Sequence, residues 1–363
     1  MTTVSLPLSS SLGRLLADFD ARKPAALARV VSMVENQREG FDTLLGVLHP
    51  RIGRARRIGI TGPPGAGKST LTTQLARAYR EAGLTVGIIA VDPTSPFTGG
   101  ALLGDRIRME DVALDPGVFI RSLATRGSLG GLSSATRVVA DVLDAYGFDR
   151  ILMETVGVGQ SELDIARAAE STLVVLVPES GDSIQTLKAG LMEIADLFAV
   201  NKADRPGADR VRNDIELMLG MRTGLAMRHV PAHHGVDLGS IANPGKAARE
   251  AAKGEQQAQW VPPVLRTVAA KGEGVVELVD ALDRHDRYLA TSGERTRRRR
   301  ARWREQILEV AEQRLRRRVW GDAGIRAFID EALPGVEAGT STPFGIADEL
   351  LRRGAGILTR TDP

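Results

Sequence analysis

A glycine-rich octapeptide in the first quarter of the chain has the residue types that hold a nucleotide phosphate. It consists of Gly62, Pro63, Pro64, Gly65, Ala66, Gly67, Lys68 and Ser69, and Thr70 follows it. In this pattern, backbone N–H groups surround the phosphates, the lysine reaches the outer phosphates and the serine hydroxyl ligates Mg²⁺. A β-like segment precedes the octapeptide and a helical one follows it, so a helix dipole adds positive potential. The octapeptide predicts a P-loop that binds a nucleoside triphosphate.

A second motif indicates which base is bound. Asn201, Lys202 and Asp204 form an Asn-Lys-x-Asp pattern directly after the apolar residues 197–200. In guanine-nucleotide proteins the aspartate accepts hydrogen bonds from guanine N1–H and the exocyclic amine, and adenine offers no such donor pair. A second base-contacting loop is predicted at Val268, Ala269 and Ala270. These residues favour GTP over ATP.

Acidic residues follow two other apolar segments. Asp92 and Glu154 each end a predicted strand, and the carboxyl ends of parallel strands face the nucleotide crevice. Carboxylates there hold Mg²⁺ or its waters, although many such residues only cap helices or turns. We predict that Lys68, Asp92 and Glu154 are catalytic, and that the backbone N–H of Gly157 approaches the γ-phosphate. Asp105 lies in a glycine-rich stretch and has no spacing argument of its own.

The residue that would orient the attacking water is missing from its usual place. Many small GTPases carry a glutamine directly after the position equivalent to Gly157. Here Val158 occupies that place, and the nearest glutamine is Gln160. We therefore expect slow hydrolysis until a partner completes the site.

The elements that must position these groups alternate between strands and helices, as in an α/β P-loop NTPase with a mostly parallel central sheet flanked by helices. The predicted strands begin near Arg57, Val86, Val118, Arg150, Thr172, Leu197 and Val264. We predict an N-terminal helical segment at 1–50, a GTPase domain at 51–290 and a C-terminal helical arm and tail at 291–363. Residues 229–259 are predicted to be a surface insertion, and the tail from about Leu333 is expected to be loosely packed.

Composition excludes several classes of protein. No run of 18 apolar residues predicts a membrane span, and the N-terminus lacks the pattern of a secretory signal. The chain has no cysteine, which removes disulfides and thiolate metal sites and is compatible with the cytoplasm that we predict. An aromatic content of 4% argues against a base-stacking nucleic-acid surface. The Asp-x-His-x-x-Gly signature of base-off cobalamin proteins is absent, so this chain is not expected to bind cobalamin itself.

Positive charge is concentrated in one segment. Residues 295–318 hold eleven arginines and three glutamates, with apolar residues at helical spacing. This pattern predicts an amphipathic, strongly basic helix. Three interpretations stay open: a solvated face whose apolar stripe packs inward, a dimer or partner contact, and a nucleic-acid or membrane surface.

Together the motifs resemble the MeaB/ArgK/MMAA family, which are SIMIBI-class P-loop GTPases that accompany methylmalonyl-CoA mutase and related adenosylcobalamin-dependent acyl-CoA mutases. The resemblance rests on residues 62–70, 91–100, 103–109, 154–162 and 201–204, and spans about residues 10–290. It implies that Ser69, Asp92, Asp105 and Glu154 surround Mg²⁺ and its waters. It also implies that Gln185 and Lys188 lie in a loop that reports nucleotide state to the mutase, and that the C-terminal arm builds a homodimer.

The implied function is a GTP-hydrolysing chaperone that governs cofactor loading, protection or repair of such a mutase. Two alternatives remain from the residues alone. A GTP-dependent metallochaperone would use His229, His233 and His234, although their spacing is loose. An ATP-using kinase of a small amino-acid substrate is disfavoured by the Asn-Lys-x-Asp motif.

Overall fold

The computed structural model describes residues 9–92, 109–124, 134–155, 161–178, 189–223 and 260–358. Seven features used in the sequence analysis lie outside the described residues, namely Asp105, Gly157, Val158, Gln160, Gln185, Lys188 and the 229–259 insertion. Asp92 is described through its backbone only.

The described residues form a seven-stranded sheet in the order β3-β2-β4-β1-β5-β6-β7, and each neighbouring pair is parallel. The strands are β1 (Arg56–Thr61), β2 (Val86–Asp92), β3 (Val118–Ala124), β4 (Arg150–Thr155), β5 (Ser171–Leu176), β6 (Leu197–Val200) and β7 (Val264–Arg266). Each begins within one residue of its predicted start. The predicted α/β P-loop NTPase fold is confirmed.

Helices cover both faces of this sheet. In the GTPase region they are α1 (Ser10–Asp20), α2 (Pro24–Glu35), α3 (Phe41–Leu48), α4 (Lys68–Glu81), α5 (Glu110–Ala113), α6 (Ser134–Tyr146), α7 (Ser161–Ala168), α8 (Ala189–Ile194), α9 (Ala208–Thr223) and α10 (Val275–Thr291). Short 3₁₀ turns span His49–Arg51 and Ala269–Lys271. Every residue of β4, β5 and β6 is buried, as expected for parallel strands covered on both faces.

The N-terminal helices share the hydrophobic core of one sheet face. Their apolar stripe, predicted from sequence spacing, includes Phe19, Leu27 and Val31, which are at most 1% exposed. These side chains belong to the same buried cluster as Leu143 of α6 and Met153 of β4. The stripe therefore buries the first three helices against the sheet.

Buried ion pairs lie along the edge of the sheet where the strands begin. Arg57 of β1 is 2% exposed, and its Nη2 lies 2.7 Å from Asp141 and 3.1 Å from Asp144. Burial lowers the pKa of Arg57, but the two carboxylates more than offset burial, so the pKa lies above the usual arginine value. Asp144 also accepts hydrogen bonds from the N–H groups of Gly53, Arg54 and Ala55 at 2.8–3.0 Å. It therefore anchors the segment that leads into β1.

We expect Asp144→Asn to lower the free energy of unfolding by about 2 kcal/mol, because hydrogen bonds to charged groups are worth about 1.5–3 kcal/mol each and asparagine keeps only one acceptor oxygen. Urea unfolding measures this loss. Asp141→Asn is the matched control, because Asp141 pairs with the same guanidinium but is 16% exposed. A control as destabilised as Asp144→Asn would contradict the anchoring role.

A second buried carboxylate lies at the same edge, just before β6. Asp196 is 6% exposed, and its two oxygens each lie 2.8 Å from a guanidinium nitrogen of Arg298. Burial raises the pKa of Asp196, but the imidazole of His285, 3.3 Å away, and Arg298 outweigh burial and hold the pKa below its usual value. The N–H of Thr172 also donates to this carboxylate at 2.9 Å. Two places along this edge, at β1 in the centre of the sheet and just before β6, are therefore held by charged groups removed from water.

The chain divides into two compact units, Met1–Arg298 and Arg299–Pro363. The second contains most of α11 (Glu294–Gly321), with α12 (Ala323–Glu337) and α13 (Pro343–Leu358). From Leu333 onward the described chain contains the end of α12 and all of α13, joined by the non-helical residues 338–342. On α11 the apolar stripe is open to solvent in the single chain, since Trp303, Ile307 and Leu315 are 38%, 68% and 47% exposed. The predicted domain boundaries themselves stay a prediction.

Candidate nucleotide-binding site

The glycine-rich loop connects β1 to α4 at the carboxyl edge of the sheet. Gly62 follows β1 directly and has φ of 138°, in a region that other residues rarely adopt. A Cβ atom on Gly62 would lie 2.1 Å from the carbonyl oxygen of Val175 on β5. Gly67, at the start of α4, has φ of 84°, and a Cβ atom there would lie 2.4 Å from the side-chain amide nitrogen of Asn201. These two positions require glycine because the loop passes tightly over the sheet.

Lys68 is folded against its own loop. Its ammonium group donates hydrogen bonds to the carbonyl oxygens of Gly62 at 2.8 Å and Pro63 at 2.9 Å. The residue is 5% exposed, so this charge lies in a largely water-free environment at the N-terminus of α4. A cation there, together with the N–H groups of the first helical turn, produces a positive potential suited to phosphate.

The first turn of α4 also meets the end of β4. The hydroxyl of Ser69 donates to Oε1 of Glu154 at 2.5 Å, and Oγ1 of Thr72 lies 3.1 Å from the other carboxylate oxygen. Glu154 is 6% exposed. The hydroxyls of Thr61 and Thr155, at the ends of β1 and β4, are hydrogen-bonded at 3.0 Å. The result is a buried set of oxygen atoms beside the phosphate loop.

Asn201 joins the phosphate loop to the two predicted base-contacting segments. Its side-chain amide donates to the carbonyl oxygen of Ala66 at 2.8 Å. Its carbonyl oxygen accepts from the N–H of Ala269 at 3.0 Å and from the hydroxyl of Thr267 at 3.2 Å. Asn201 is 2% exposed, so these contacts are made away from water. One side chain therefore connects the P-loop, the end of β6 and the segment after β7.

Asp204 lies on the outer side of this junction. Its carboxylate is 42% exposed and lies 3.4 Å from the ammonium group of Lys271. The N–H of Ala203 donates to the carbonyl oxygen of Thr267 at 3.0 Å, which holds the two segments together. Lys202 has φ of 54°, a left-handed conformation that turns the chain after β6. The carboxylate is thus accessible to a ligand while its backbone is fixed.

The structure brings together the P-loop residues, Glu154, the Asn-Lys-x-Asp motif and residues 268–270. Asp92 ends β2, one residue beyond the pair of Val91 and Thr155, so its backbone lies beside the end of β4. Asp105, Gly157, Gln185 and Lys188 lie outside the described residues, as do His229, His233 and His234. Within the described ranges, no group of three or more His, Asp or Glu side chains is arranged to hold a metal ion.

Sequence reasoning missed two threonines that complete this geometry. Thr72 contacts Glu154, and Thr267 contacts Asn201. Thr72 could have been found from its spacing, because residues three apart on a helix share a face and Ser69 was already assigned. Thr267 precedes the predicted loop at Val268 directly, but nothing in its local sequence indicates a hydrogen bond to a residue 66 positions earlier.

Comparison with known families identifies the group to which this site belongs. The family model described as methylmalonyl Co-A mutase-associated GTPase MeaB matches residues 27–324. The chain belongs to the MeaB family of GTPases. Compared with the region of about 10–290 that the motifs indicate, the match begins later, at residue 27, and extends further, to residue 324 in the C-terminal helices.

Similar proteins agree with this assignment. A Pyrococcus abyssi protein whose name describes it as a GTPase is 44% identical over 335 residues, which cover 92% of this chain and 94% of that protein. GTPase ArgK of Escherichia coli is 42% identical over 184 residues, which cover 50% of this chain and 56% of ArgK. The Mus musculus protein named methylmalonic aciduria type A homolog, mitochondrial, is 29% identical over 353 residues, which cover 93% of this chain and 78% of that protein.

A solved structure has the same fold. The crystal structure of LAO/AO transport system kinase superposes with a TM-score of 0.61 at 24% identity, covering 98% of this chain and all of that one. This structure shows the fold, while the family model and the relatives named as GTPases confirm the predicted MeaB/ArgK/MMAA family and GTP hydrolysis. Among the residues that the structure describes, each helix is too short or too polar to cross a membrane.

Proposed function

We propose that this MeaB-family GTPase binds Mg²⁺-GTP at the P-loop and that its nucleotide state gates cofactor loading, protection or repair of an adenosylcobalamin-dependent acyl-CoA mutase. The main support for the nucleotide site is the position of Asn201. Its side chain is hydrogen-bonded to both the phosphate loop and the segment after β7. The coupling to a mutase is supported by the family's name and by the similarity to the methylmalonic aciduria type A homolog.

The residues around Ser69 have the chemistry that Mg²⁺ requires. Mg²⁺ prefers oxygen ligands, and the Ser69 hydroxyl and the Glu154 carboxylate lie together beside the P-loop. A Mg²⁺ ion held by Ser69 and Glu154 would supply positive charge to neutralise the negative charge that develops during phosphoryl transfer. We assign Ser69 as a ligand and Glu154, with Asp92 and Asp105, to the metal or its waters. This chain is not assigned a cobalamin site of its own.

The phosphate and base contacts are assigned to the residues that the motifs predict. Lys68 and the backbone N–H groups of the non-proline residues in 62–70 hold the phosphates, with Gly157 against the γ-phosphate. Asp204 accepts hydrogen bonds from guanine, and Val268, Ala269 and Ala270 close over the base. Asn201 and Lys202 hold this loop in place. Gln185 and Lys188 are assigned to the loop that transmits nucleotide state to the mutase.

A homodimer is part of the proposal. The stripe formed by Trp303, Ile307 and Leu315 exposes large apolar side chains in the single chain, and burying such a surface against a second copy is favourable. Neither a nucleic-acid partner nor a membrane is proposed, and the cytoplasm is the proposed location.

The decisive experiment measures GTP hydrolysis by the purified protein alone and with adenosylcobalamin-dependent acyl-CoA mutases, using ATP as the control nucleotide. We expect slow hydrolysis alone and acceleration of at least tenfold by one mutase, because Val158 cannot orient the attacking water and a partner must do so. Fast hydrolysis without any partner would contradict the prediction that a partner must complete the catalytic site. Equal rates with and without every mutase would remove the proposed client class.

A further inference from the structure

Two hydroxyl groups of α4 hold the two oxygens of Glu154. Ser69 and Thr72 are three residues apart and so share one face of the helix. Ser69 donates to Oε1 at 2.5 Å, while Oγ1 of Thr72 lies 3.1 Å from Oε2. Thr72 is fully buried and Glu154 is 6% exposed. The carboxylate is therefore held against the helix on both sides, with little access to water.

The contact with Thr72 differs in kind from the contact with Ser69. Ser69 is the proposed Mg²⁺ ligand, so its hydroxyl oxygen would be engaged by the metal when nucleotide is bound. Thr72 lies one turn further into the helix, and its hydroxyl is also 2.9 Å from the carbonyl oxygen of Lys68. Both neighbours are hydrogen-bond acceptors and the hydroxyl has one proton, so Thr72 shares that proton between the helix backbone and the carboxylate and links Glu154 to α4. It is thus a fixed support for Glu154.

We propose that Thr72 is a positioning residue that directs the Glu154 carboxylate toward nucleotide-bound Mg²⁺. This inference rests on the proposed function, in which Glu154 serves the metal or its waters. Partners that orient metal-binding carboxylates typically change metal affinity by about 10–100-fold when they are removed. Without the hydroxyl, the carboxylate loses a buried partner and rotates away from its orientation toward Ser69.

The chain supplies a matched control in the next residue. Thr73 donates from its hydroxyl to the carbonyl oxygen of Ser69 at 2.9 Å, which is the same type of contact that Thr72 has with Lys68. Thr73 is 5% exposed, and its side chain has no described contact with Glu154. Replacing either threonine by valine removes a backbone contact of the same kind, whereas only Thr72→Val also removes the contact with the carboxylate.

The test measures the release of a fluorescent GDP analogue from the full-length protein as a function of Mg²⁺ concentration, with an excess of EDTA as the metal-free limit. For Thr72→Val we expect the half-saturating Mg²⁺ concentration to rise about tenfold. Metal-free GDP affinity should stay within about twofold of wild type. The half-saturating Mg²⁺ concentration of Thr73→Val should match that of the wild type. For Thr72→Ser, which keeps the hydroxyl, it should lie within about threefold of the wild-type value.

Equal shifts for Thr72→Val and Thr73→Val would overturn the inference, as would a loss of metal-free GDP affinity as large as the loss of Mg²⁺ response. Glu154→Gln separates this inference from the proposed function. If Glu154→Gln leaves the Mg²⁺ response unchanged, the metal role of Glu154 is wrong. If Glu154→Gln weakens the response and Thr72→Val does not, only the role of Thr72 is wrong.

Discussion

Lys68→Ala should lower kcat/KM for GTP by about 10²–10³-fold, since removing a preorganised group that stabilises developing charge has effects of this size. The ammonium group is almost fully buried at the N-terminus of α4, where its interaction with phosphate is screened little by water. The substitution also removes the two hydrogen bonds to the carbonyl oxygens of Gly62 and Pro63. Steady-state hydrolysis, together with fluorescent GDP binding, measures both consequences.

Arg77→Ala provides the comparison for this variant. Arg77 is a cation on the same helix, but it is 42% exposed and pairs with Asp111 at 2.7 Å, away from the P-loop. Its removal should leave the hydrolysis rate within about twofold, as is usual for an exposed ion pair. A loss below tenfold for Lys68→Ala, or similar losses for both variants, would show that Lys68 does not hold the phosphates.

Asp204→Asn should weaken GTP binding by about 100-fold and improve binding of XTP. Asparagine keeps one acceptor oxygen for guanine N1–H but places an amide donor against the exocyclic amine, so one hydrogen bond to a charged group, worth about 1.5–3 kcal/mol, is lost. Asparagine instead offers an amide donor to the carbonyl oxygen that xanthine has in place of the exocyclic amine. Competition of GTP and XTP against fluorescent GDP gives both affinities.

Asp209→Asn makes the same chemical change at a neighbouring exposed position. Asp209 is 71% exposed and pairs with Arg266 at 2.9 Å. Its variant should keep the preference for GTP over XTP. If Asp204→Asn kept that preference as well, Asp204 would not read the base, and the specificity for guanine would require another source.

The strands and the phosphate loop could be predicted because their signals are local. Continuous apolar runs bounded by polar residues mark parallel strands, and all seven strand starts fall within one residue of prediction. The P-loop is defined by consecutive residues, and its glycines are required by backbone positions such as that of Gly62. The helical stripe around Phe19 and Val31 likewise follows from spacing alone.

The remaining features depend on pairs of residues that are distant in the sequence. Asp144 caps N–H groups about 90 positions earlier, and Thr267 contacts an asparagine 66 positions earlier. Such contacts are set by how helices pack on the sheet, which no local pattern specifies. Asn201 was predicted as part of a base-reading motif, but its bond to Ala66 emerges only when β6 and the P-loop are placed side by side.

The charged groups where the strands begin and those where the strands end affect different properties of this protein. Arg57, Asp144 and Asp196 lie where the strands begin, whereas Lys68, Glu154 and Asp204 lie at or beyond the ends where the strands finish. Substitutions at well-separated sites usually act independently. Variation at the first edge should therefore alter how much folded protein a cell maintains, with each folded molecule keeping its turnover rate. Variation at the second edge should alter turnover at constant abundance, so the two properties can evolve separately.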